Sequence, residues 1–477
     1  MRSLFDEPIT DDSELPVELS LEALDQSILL TRFLGERPGC RVTYSGRLAD
    51  QPVVIKLFGR SSAAQDDFDQ EIFRLTELRA CRLDVPPVVH LRLTGTGESC
   101  VVTAFLEQSL NLGQFSQYQL PEEFESEKVG HALGGYLRNM HNAGFILKDT
   151  RLSDFVYSGG RIWLVGGSIG RVAHFRSTRQ TLKGLAELLA QLPVNAGDIA
   201  MQIISGYGEQ FSADQVLRMM IRSRSVRERV YLKKTLGSGG EFVAQKTDDG
   251  TRVLRRELLG DASFEALLAD LDGAMVRGES LKQGNSATLA KVELSGRIIV
   301  VKRYNVKSWW HRLRLTMRVS RAIRSWQNGY RLRMWGLSTP LPLAVIEQHR
   351  GPLSGRAYLI CDYSETTDCS WYWQHHQESW SLRNRLANTI GSLQALGLSH
   401  GDMKANNIKF NGERVELLDL DSLRRWKSRV GHGRAIAADV RRLVANWADT
   451  PAYAKQLGSD IAAALAKQLA QPGFTER

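Results

Sequence analysis

The chain has 477 residues, too many for one ordinary core and suited to two domains of about 240 residues each. With 24% charged and 43% hydrophobic residues it has the balance of a globular protein, which excludes a disordered or membrane-embedded chain. Net charge is +9, but residues 1–225 carry 23 basic and 28 acidic side chains against 39 and 25 in residues 226–477, so a cationic partner surface is expected in the second half.

The opening stretch MRSLFDEPITDDSELP is acidic where a secretory signal is basic, and no run reaches the roughly 18 uncharged apolar residues of a membrane span. A cytoplasmic protein is expected. PVVIKLF, with Lys56, reads as a buried strand, DDFDQEIFRLTELRACR as a helix, and CVVTAFLE (100–107) as a further strand. A domain boundary is expected near 225–230, in the basic stretch IRSRSVRERV. Beyond it TDDGT (247–251) reads as a hairpin turn, and RIIVVKRY, with Lys302, as a second buried strand. In LTMRVSRAIRSWQNGYRL a helical period sets Leu315, Val319, Ala322, Ile323, Trp326 and Tyr330 on one face. AYLICDY (357–363) reads as a strand, WYWQHHQESW (371–380) as an aromatic-packed helix, and LANTIGSLQALG as another helix. Adjacent His375 and His376 point apart on a helix, which argues against a metal site there. The five cysteines, Cys40, Cys81, Cys100, Cys361 and Cys369, form no CxxC pair and suggest neither disulfides nor a zinc knuckle.

Laid over each other with an offset of 253, FILKDTRLSDFVYSGGRIWLVGGSIGR (145–171) and LSHGDMKANNIKFNGERVELLDLDSLR (398–424) need no gap. Asp149 falls on Asp402, Gly159 on Gly412, Arg161 on Arg414 and Arg171 on Arg424. Upstream, Lys56 precedes Asp149 by 93 residues and Lys302 precedes Asp402 by 100. Such self-similarity indicates a duplicated domain, because a solenoid repeats every 20–50 residues or so.

HGDMKANN (400–407) supplies an aspartate and, five residues on, an asparagine; LLDLD (417–421) adds carboxylates beside an apolar strand. Together with Lys302 these resemble the protein-kinase-like fold. Its chemistry needs a lysine on the nucleotide phosphates, a carboxylate to orient the acceptor hydroxyl and oxygen ligands for Mg²⁺. The resemblance implies an α+β chain of two tandem protein-kinase-like domains, 1–225 and 226–477, each with a strand-rich first lobe and a mainly helical second lobe. It also implies ATP and Mg²⁺ as cofactors, Asp402 as catalytic base, and Asn407 with Asp419 as metal ligands. Lys302, Gly284, Ser286 and Asp362, in the hinge CDYSE, would bind the nucleotide. Gly284 and Ser286 are preferred over LGSGGEFVAQK (236–246) because Lys246 lies 156 residues from Asp402, far from the interval in the first half.

Along VVKRYNVKSWWHRLRLTMRVSRAIRSWQNGYRLRMWGLSTPLPLAVIE the chain is similar to the lipopolysaccharide core kinases, the Kdo/heptose kinase family, well over about residues 280–445 and as a weaker copy over 30–195. That resemblance implies phosphorylation of a sugar hydroxyl of the lipopolysaccharide inner core, at the cytoplasmic face of the inner membrane. Two departures stand out. The arginine that protein kinases place between His and Asp is Gly401, which disfavours a protein kinase, and no acid occurs between Glu293 and Glu347, so the helix glutamate that would hold Lys302 is replaced near Ser325. The missing glutamate favours the competing reading, a non-catalytic tandem pseudokinase scaffold. In the first copy Lys56, Asp149 and a helix partner Glu71 are kept, but Asp154 stands at the asparagine position and Gly166 at the metal-carboxylate position. That copy is expected to be degenerate. Residues 297–333 hold 11 Lys/Arg, no acid and three tryptophans, which suits an anionic membrane surface or phosphorylated glycolipid; pairing with the acidic first half and nucleic acid are the alternatives.

Overall fold

The computed structural model describes residues 10, 15–20, 27–93, 99–117, 124–171, 177–194, 196–247, 250–284, 286–305, 319–350, 353–375, 380–410 and 413–470. Leu315 and the tryptophans Trp309 and Trp310 of the basic segment lie outside these residues. The fold is mixed α+β, and the chain divides into two compact units, 1–220 and 221–477. The division falls between Met220 and Ile221, inside a helix (Ala213–Lys234) that includes IRSRSVRERV. The stretch IRSRSVRERV starts at that division and is regular helix, on whose buried side Glu228 and Leu232 lie.

In the first unit β1 (Val17–Ser20), β2 (Ser27–Arg37), β3 (Arg41–Leu48) and β4 (Gln51–Phe58) form a meander, followed by α1 (Ser62–Ala80), β5 (Val88–Leu93) and β6 (Ser99–Ala104). The sheet order is β1-β2-β3-β4-β6-β5. Alternation fixes the register. Val42 and Tyr44 of β3 point into the same core as Val53, Ile55 and Leu57 of β4, while Lys56 of β4 pairs with Thr43 on the other face. Ser61 caps α1 by accepting the Ala64 N–H at 3.1 Å.

In the second unit a hairpin of β7 (Phe242–Thr247) and β8 (Gly250–Arg255) turns where TDDGT predicts it. Then come β9 (Glu279–Gln283), β10 (Ala287–Leu294), β11 (Arg297–Tyr304), α2 (Arg321–Met334), β12 (Pro342–Arg350) and β13 (Leu353–Asp362). The order is β7-β8-β12-β13-β11-β10-β9. Without its outer strands each sheet shows one pattern: three strands in a meander, a helix, and a pair whose second strand lies beside the third of the meander.

Period-2 alternation in β11 divides its side chains between two cores. Ile299 and Val301 pack with Phe264, Leu267, Leu271 and Ile360, under the short helices Ala262–Ala269 and Leu271–Arg277. Tyr304 faces the other way, onto Ala322, Trp326 and Tyr330 of α2, and period 2 puts Lys302 on that face as well. Three of the six residues expected on one helix face are thus confirmed as core. Val319 is not: it precedes the Ser320 N-cap and is 58% exposed. The helix ends in a Schellman arrangement, Leu337 N–H donating to Leu332 O at 2.9 Å and Gly336 N–H to Arg333 O at 3.0 Å, with Gly336 at φ +74°. After the sheet come a short helix (Cys369–His375), α3 (Trp380–Ala395), a hairpin of β14 (Ile408–Phe410) and β15 (Val415–Leu417), α4 (Arg429–Val444) and α5 (Pro451–Ala470). No helix among the described residues is long and apolar enough to cross a membrane.

Candidate active site

The second unit contains a cleft of 440 Å³, lined by apolar Leu289, Val300, Leu359 and Leu418 and by the polar groups of Lys302, Asn407 and Asp419. Ser286 and Asp362 also line it, so five of the seven expected site residues meet at one cavity. The other two are adjacent. Gly284 sits in the β9–β10 loop, its carbonyl accepting from Asn305 Nδ2 at 3.0 Å, and Asp402 is hydrogen-bonded to Asn407. The Asp362 carboxylate accepts from Arg297 Nε at 2.8 Å through Oδ1.

Lys302 reaches from β11 to two carboxylates. Its Nζ donates to Asp419 Oδ1 at 2.7 Å and to Asp421 Oδ1 at 2.9 Å. Asp421 is the residue that supplies what α2 lacks. Its Oδ1 also accepts from Tyr304 OH at 2.7 Å and from Ser325 Oγ at 2.6 Å, and its Oδ2 from Arg321 Nη2 at 2.5 Å. Burial works to raise its pKa, but Lys302 and the hydroxyl donors outweigh it and hold the carboxyl at about 2. The carboxylate partner of the strand lysine has thus moved from the helix to the loop after β15. One signal for this is in the sequence: with no acid between Glu293 and Glu347, the partner must come from elsewhere, and Asp421 stands two residues from Asp419.

The loop bearing Asp402 is anchored from beneath. Asp439, 1% exposed on α4, accepts the His400 N–H at 2.7 Å and the Gly401 N–H at 3.0 Å. His400 is buried, which lowers its pKa and keeps it neutral; Nε2–H donates to Leu418 O at 2.9 Å, leaving Nδ1 to accept the Asp402 N–H at 3.4 Å. Gly401 has φ +85°, and a Cβ there would meet Ser422 Cβ and O at 2.8 Å. The arginine of protein kinases does not fit at this point. Asp402 Oδ1 pairs with Lys404 at 2.8 Å and Oδ2 accepts from Asn407 Nδ2 at 3.2 Å. Partial burial raises its pKa, but Lys404 and Asn407 together bring it below the usual carboxylate value, so it is ionised at neutral pH.

Among the described residues no three His, Cys, Asp or Glu side chains form a metal cluster. The donors present nevertheless fit Mg²⁺, which keeps waters and phosphate oxygens and takes only one or two protein ligands. Asn407 commits its amide nitrogen to Asp402, so its oxygen is the atom left for the cleft. The Leu418 N–H donates to Asn407 O at 2.9 Å, which places Asp419, held at φ +53°, next to it.

Residues 268–460 match the lipopolysaccharide kinase (Kdo/WaaP) family. The match lies within the second unit. It contains Lys302, Asp402, Asn407, Asp419, Asp421 and Asp439, the whole assembly just described. Among solved structures the chain is similar to one described as WaaP in complex with acyl carrier protein, at 16% identity, covering 44% of this chain and 95% of that one, with a TM-score of 0.27. No curated protein matches the chain.

The first unit, outside the lipopolysaccharide-kinase match, arranges the corresponding residues differently. Lys56 Nζ donates to Glu71 Oε1 of α1 at 2.7 Å, the helix pair that the second unit lacks, but also to Val165 O at 2.7 Å. Burial pushes Lys56 down to about 8 against the pull of Glu71; burial also opposes ionisation of Glu71, but Arg74 and Lys56 carry it to about 2. Arg74, fully buried, binds Glu71 Oε1 at 2.5 Å and the Leu164 carbonyl. Asp154 packs against Gly166: a Cβ there would meet its Oδ1 at 2.7 Å. What remains is a cavity of 130 Å³ lined by Arg37, Arg41, Glu71, Asp149 and Asp154 among others.

Asp154 Oδ2 is buried without a hydrogen-bond partner, and burial raises the carboxyl to about 6. A pKa raised on folding gives stability that is complete below the unfolded value near 3.8 and is lost as pH rises through 6. At pH 7.5 the ionised group therefore costs about 2 to 3 kcal/mol. Asp154→Asn is expected to recover most of this at pH 7.5 and roughly half as much at pH 5, read from urea midpoints at the two pH values. An unchanged midpoint at pH 7.5 contradicts the account of Asp154.

Proposed function

We propose that the second unit transfers the γ-phosphoryl group of ATP to a sugar hydroxyl of the lipopolysaccharide inner core. The observation that supports this best is Lys302 bound to Asp419 and Asp421 in a cleft beside the hydrogen-bonded pair Asp402–Asn407. In this reading Lys302 binds the nucleotide phosphates, and the apolar walls of Leu289, Val300 and Leu359 take the adenine. Asp402, ionised and fixed by the Asp439-anchored loop, orients the acceptor hydroxyl and takes its proton. Asn407 and Asp419 hold Mg²⁺, which when bound offsets phosphate charge. The acceptor is a lipopolysaccharide core sugar or another phosphorylated glycolipid. The protein would work in the cytoplasm, peripherally at the inner membrane through the basic segment 297–333, whose residues 306–318 lie outside the described structure.

The chain in this reading is a tandem of kinase-like domains of which the first is a pseudokinase. Without their outer strands both sheets share one strand order, and the first unit's lysine is committed to its own backbone at Val165. The absent helix glutamate favours a scaffold without activity, whereas Asp421, which gives Lys302 a carboxylate, supports the catalytic reading.

Thermal unfolding with and without Mg²⁺–ATP tests the proposal on the intact protein, Lys302→Ala and Lys56→Ala. Ligand at 100 times its dissociation constant adds about 2.7 kcal/mol to the unit that binds it. The expected result is a shift in the intact protein and in Lys56→Ala that is lost in Lys302→Ala. A shift that survives Lys302→Ala, or none at all, overturns the assignment.

A further inference from the structure

Arg321 is the first residue of α2, directly after the Ser320 N-cap. It lines the 440 Å³ cleft with Lys302. Its Nη2 donates to Asp421 Oδ2, while Lys302 donates to Oδ1 of the same carboxylate. Both cations also lie against one ring: Arg321 Cζ is 5.2 Å and Lys302 Nζ 5.0 Å from the centroid of Tyr304. The carboxylate and ring thus hold two positive groups together where each alone would repel the other.

The charges show what this pair is for. As the structure stands, Lys302 and Arg321 are balanced by Asp419 and Asp421. Once Asp419 serves a divalent cation, as in the function proposed above, Asp421 alone remains against two fixed cations, and the surplus positive charge faces the cleft. A guanidinium has five N–H donors in a planar fork that suits phosphate oxygens, and Asp421 engages one nitrogen. The side chain is 37% exposed, so the rest of the fork is open to a ligand. The first unit shows the contrast. There Glu71 binds Lys56 and Arg74 and lies 3.9 Å from Arg41, but Arg74 is fully buried and, like Lys56, turns to backbone carbonyls at 164 and 165. The lysine and arginine that share a carboxylate thus turn to backbone carbonyls in the first unit and line the cleft in the second.

We propose that Arg321 is a second phosphate-binding residue of the second unit, held beside Lys302 by Asp421 as a two-cation clamp on a nucleoside polyphosphate. The inference rests on the nucleotide-binding reading of the cleft. Calorimetric titration of the intact protein, Arg321→Gln and Arg321→Lys with Mg²⁺–ATP and with adenosine separates the cases. Charge-assisted hydrogen bonds to phosphate lost from a partly buried site weaken binding by about 10- to 100-fold. Arg321→Gln is therefore expected to weaken ATP by that factor and leave adenosine within about twofold, with Arg321→Lys between the two, since it keeps the charge and loses the fork. ATP binding unchanged in Arg321→Gln overturns the proposal while the nucleotide site stands. Equal loss of ATP and adenosine overturns it in favour of a structural role. If the intact protein binds neither compound, the nucleotide reading itself fails and the clamp with it.

Discussion

Asp402→Ala is expected to lower phosphate transfer by about 10³-fold, and Asp149→Ala to leave it within about twofold, although the two residues occupy corresponding positions of the internal repeat. Asp402 is poised for the task. Its loop is fixed by two backbone N–H bonds to buried Asp439, its carboxylate is ionised through Lys404 and Asn407, and at 35% exposure it remains open to an acceptor. Asp149 is 69% exposed and held by Arg151 at 2.6 Å; its neighbour at the asparagine position is Asp154, a like charge, and no carboxylate follows at Gly166. The measurement is transfer of label from γ-labelled ATP to inner-core oligosaccharide. Neither side chain is deeply buried, so lost folding does not imitate lost chemistry. Equal losses from both substitutions would show that the two units share the reaction, and the asymmetric model would be abandoned.

Much of this was legible in the chain because the informative residues are local. A lysine ending an apolar run marks β4 and β11, and HGD, Asn and DLD fall within 22 residues, so their spacing is nearly a geometry. Glu71 could be paired with Lys56 since both lie in one strand–helix unit, 15 residues apart. Asp421 and Lys302 are 119 residues apart, and nothing in either segment alone names the other. Asp439 was invisible for a related reason: an aspartate within an Arg-rich helix reads as a solvated charge, and only tertiary packing shows it 1% exposed under His400 and Gly401. Val319 failed on a boundary. It continues the apolar period of α2, but Ser320 captures the Ile323 N–H and starts the helix one residue later. In IRSRSVRERV the charges dominate the pattern and conceal a packed residue: Glu228 is buried and accepts from Arg331 at 3.0 Å, Trp335 Nε1 at 2.8 Å and Arg425 at 2.5 Å.

Removal of Asp421 is expected to be the most damaging single change in the second unit. Asp421→Ala leaves Lys302, Arg321, Tyr304 OH and Ser325 Oγ without the acceptor they share, in a place where the carboxylate is 7% exposed. Breaking a buried ion pair by deleting one partner costs about 3 to 5 kcal/mol, because the remaining charge stays desolvated. For a unit of this size that is roughly 6 to 20 °C in Tm. The pH dependence has a definite sign. The folded pKa of about 2 lies below the ordinary aspartate value of 3.8, so the contribution is complete above about pH 4 and is lost as pH falls toward 2. Asp421→Ala should thus lose its disadvantage progressively in that window. A compensating substitution separates the role of the charge from damage to packing. Ser325 Oγ lies 2.6 Å from Asp421 Oδ1, so a glutamate at 325 can reach into the space that Asp421→Ala vacates and give Lys302 a helix carboxylate, as Glu71 gives Lys56 in the first unit. Asp421→Ala with Ser325→Glu is expected to regain at least half of the lost Tm and the shift produced by Mg²⁺–ATP. If the double variant is no better than Asp421→Ala alone, the carboxylate does more than replace the helix glutamate, and its four-donor geometry cannot be rebuilt from α2.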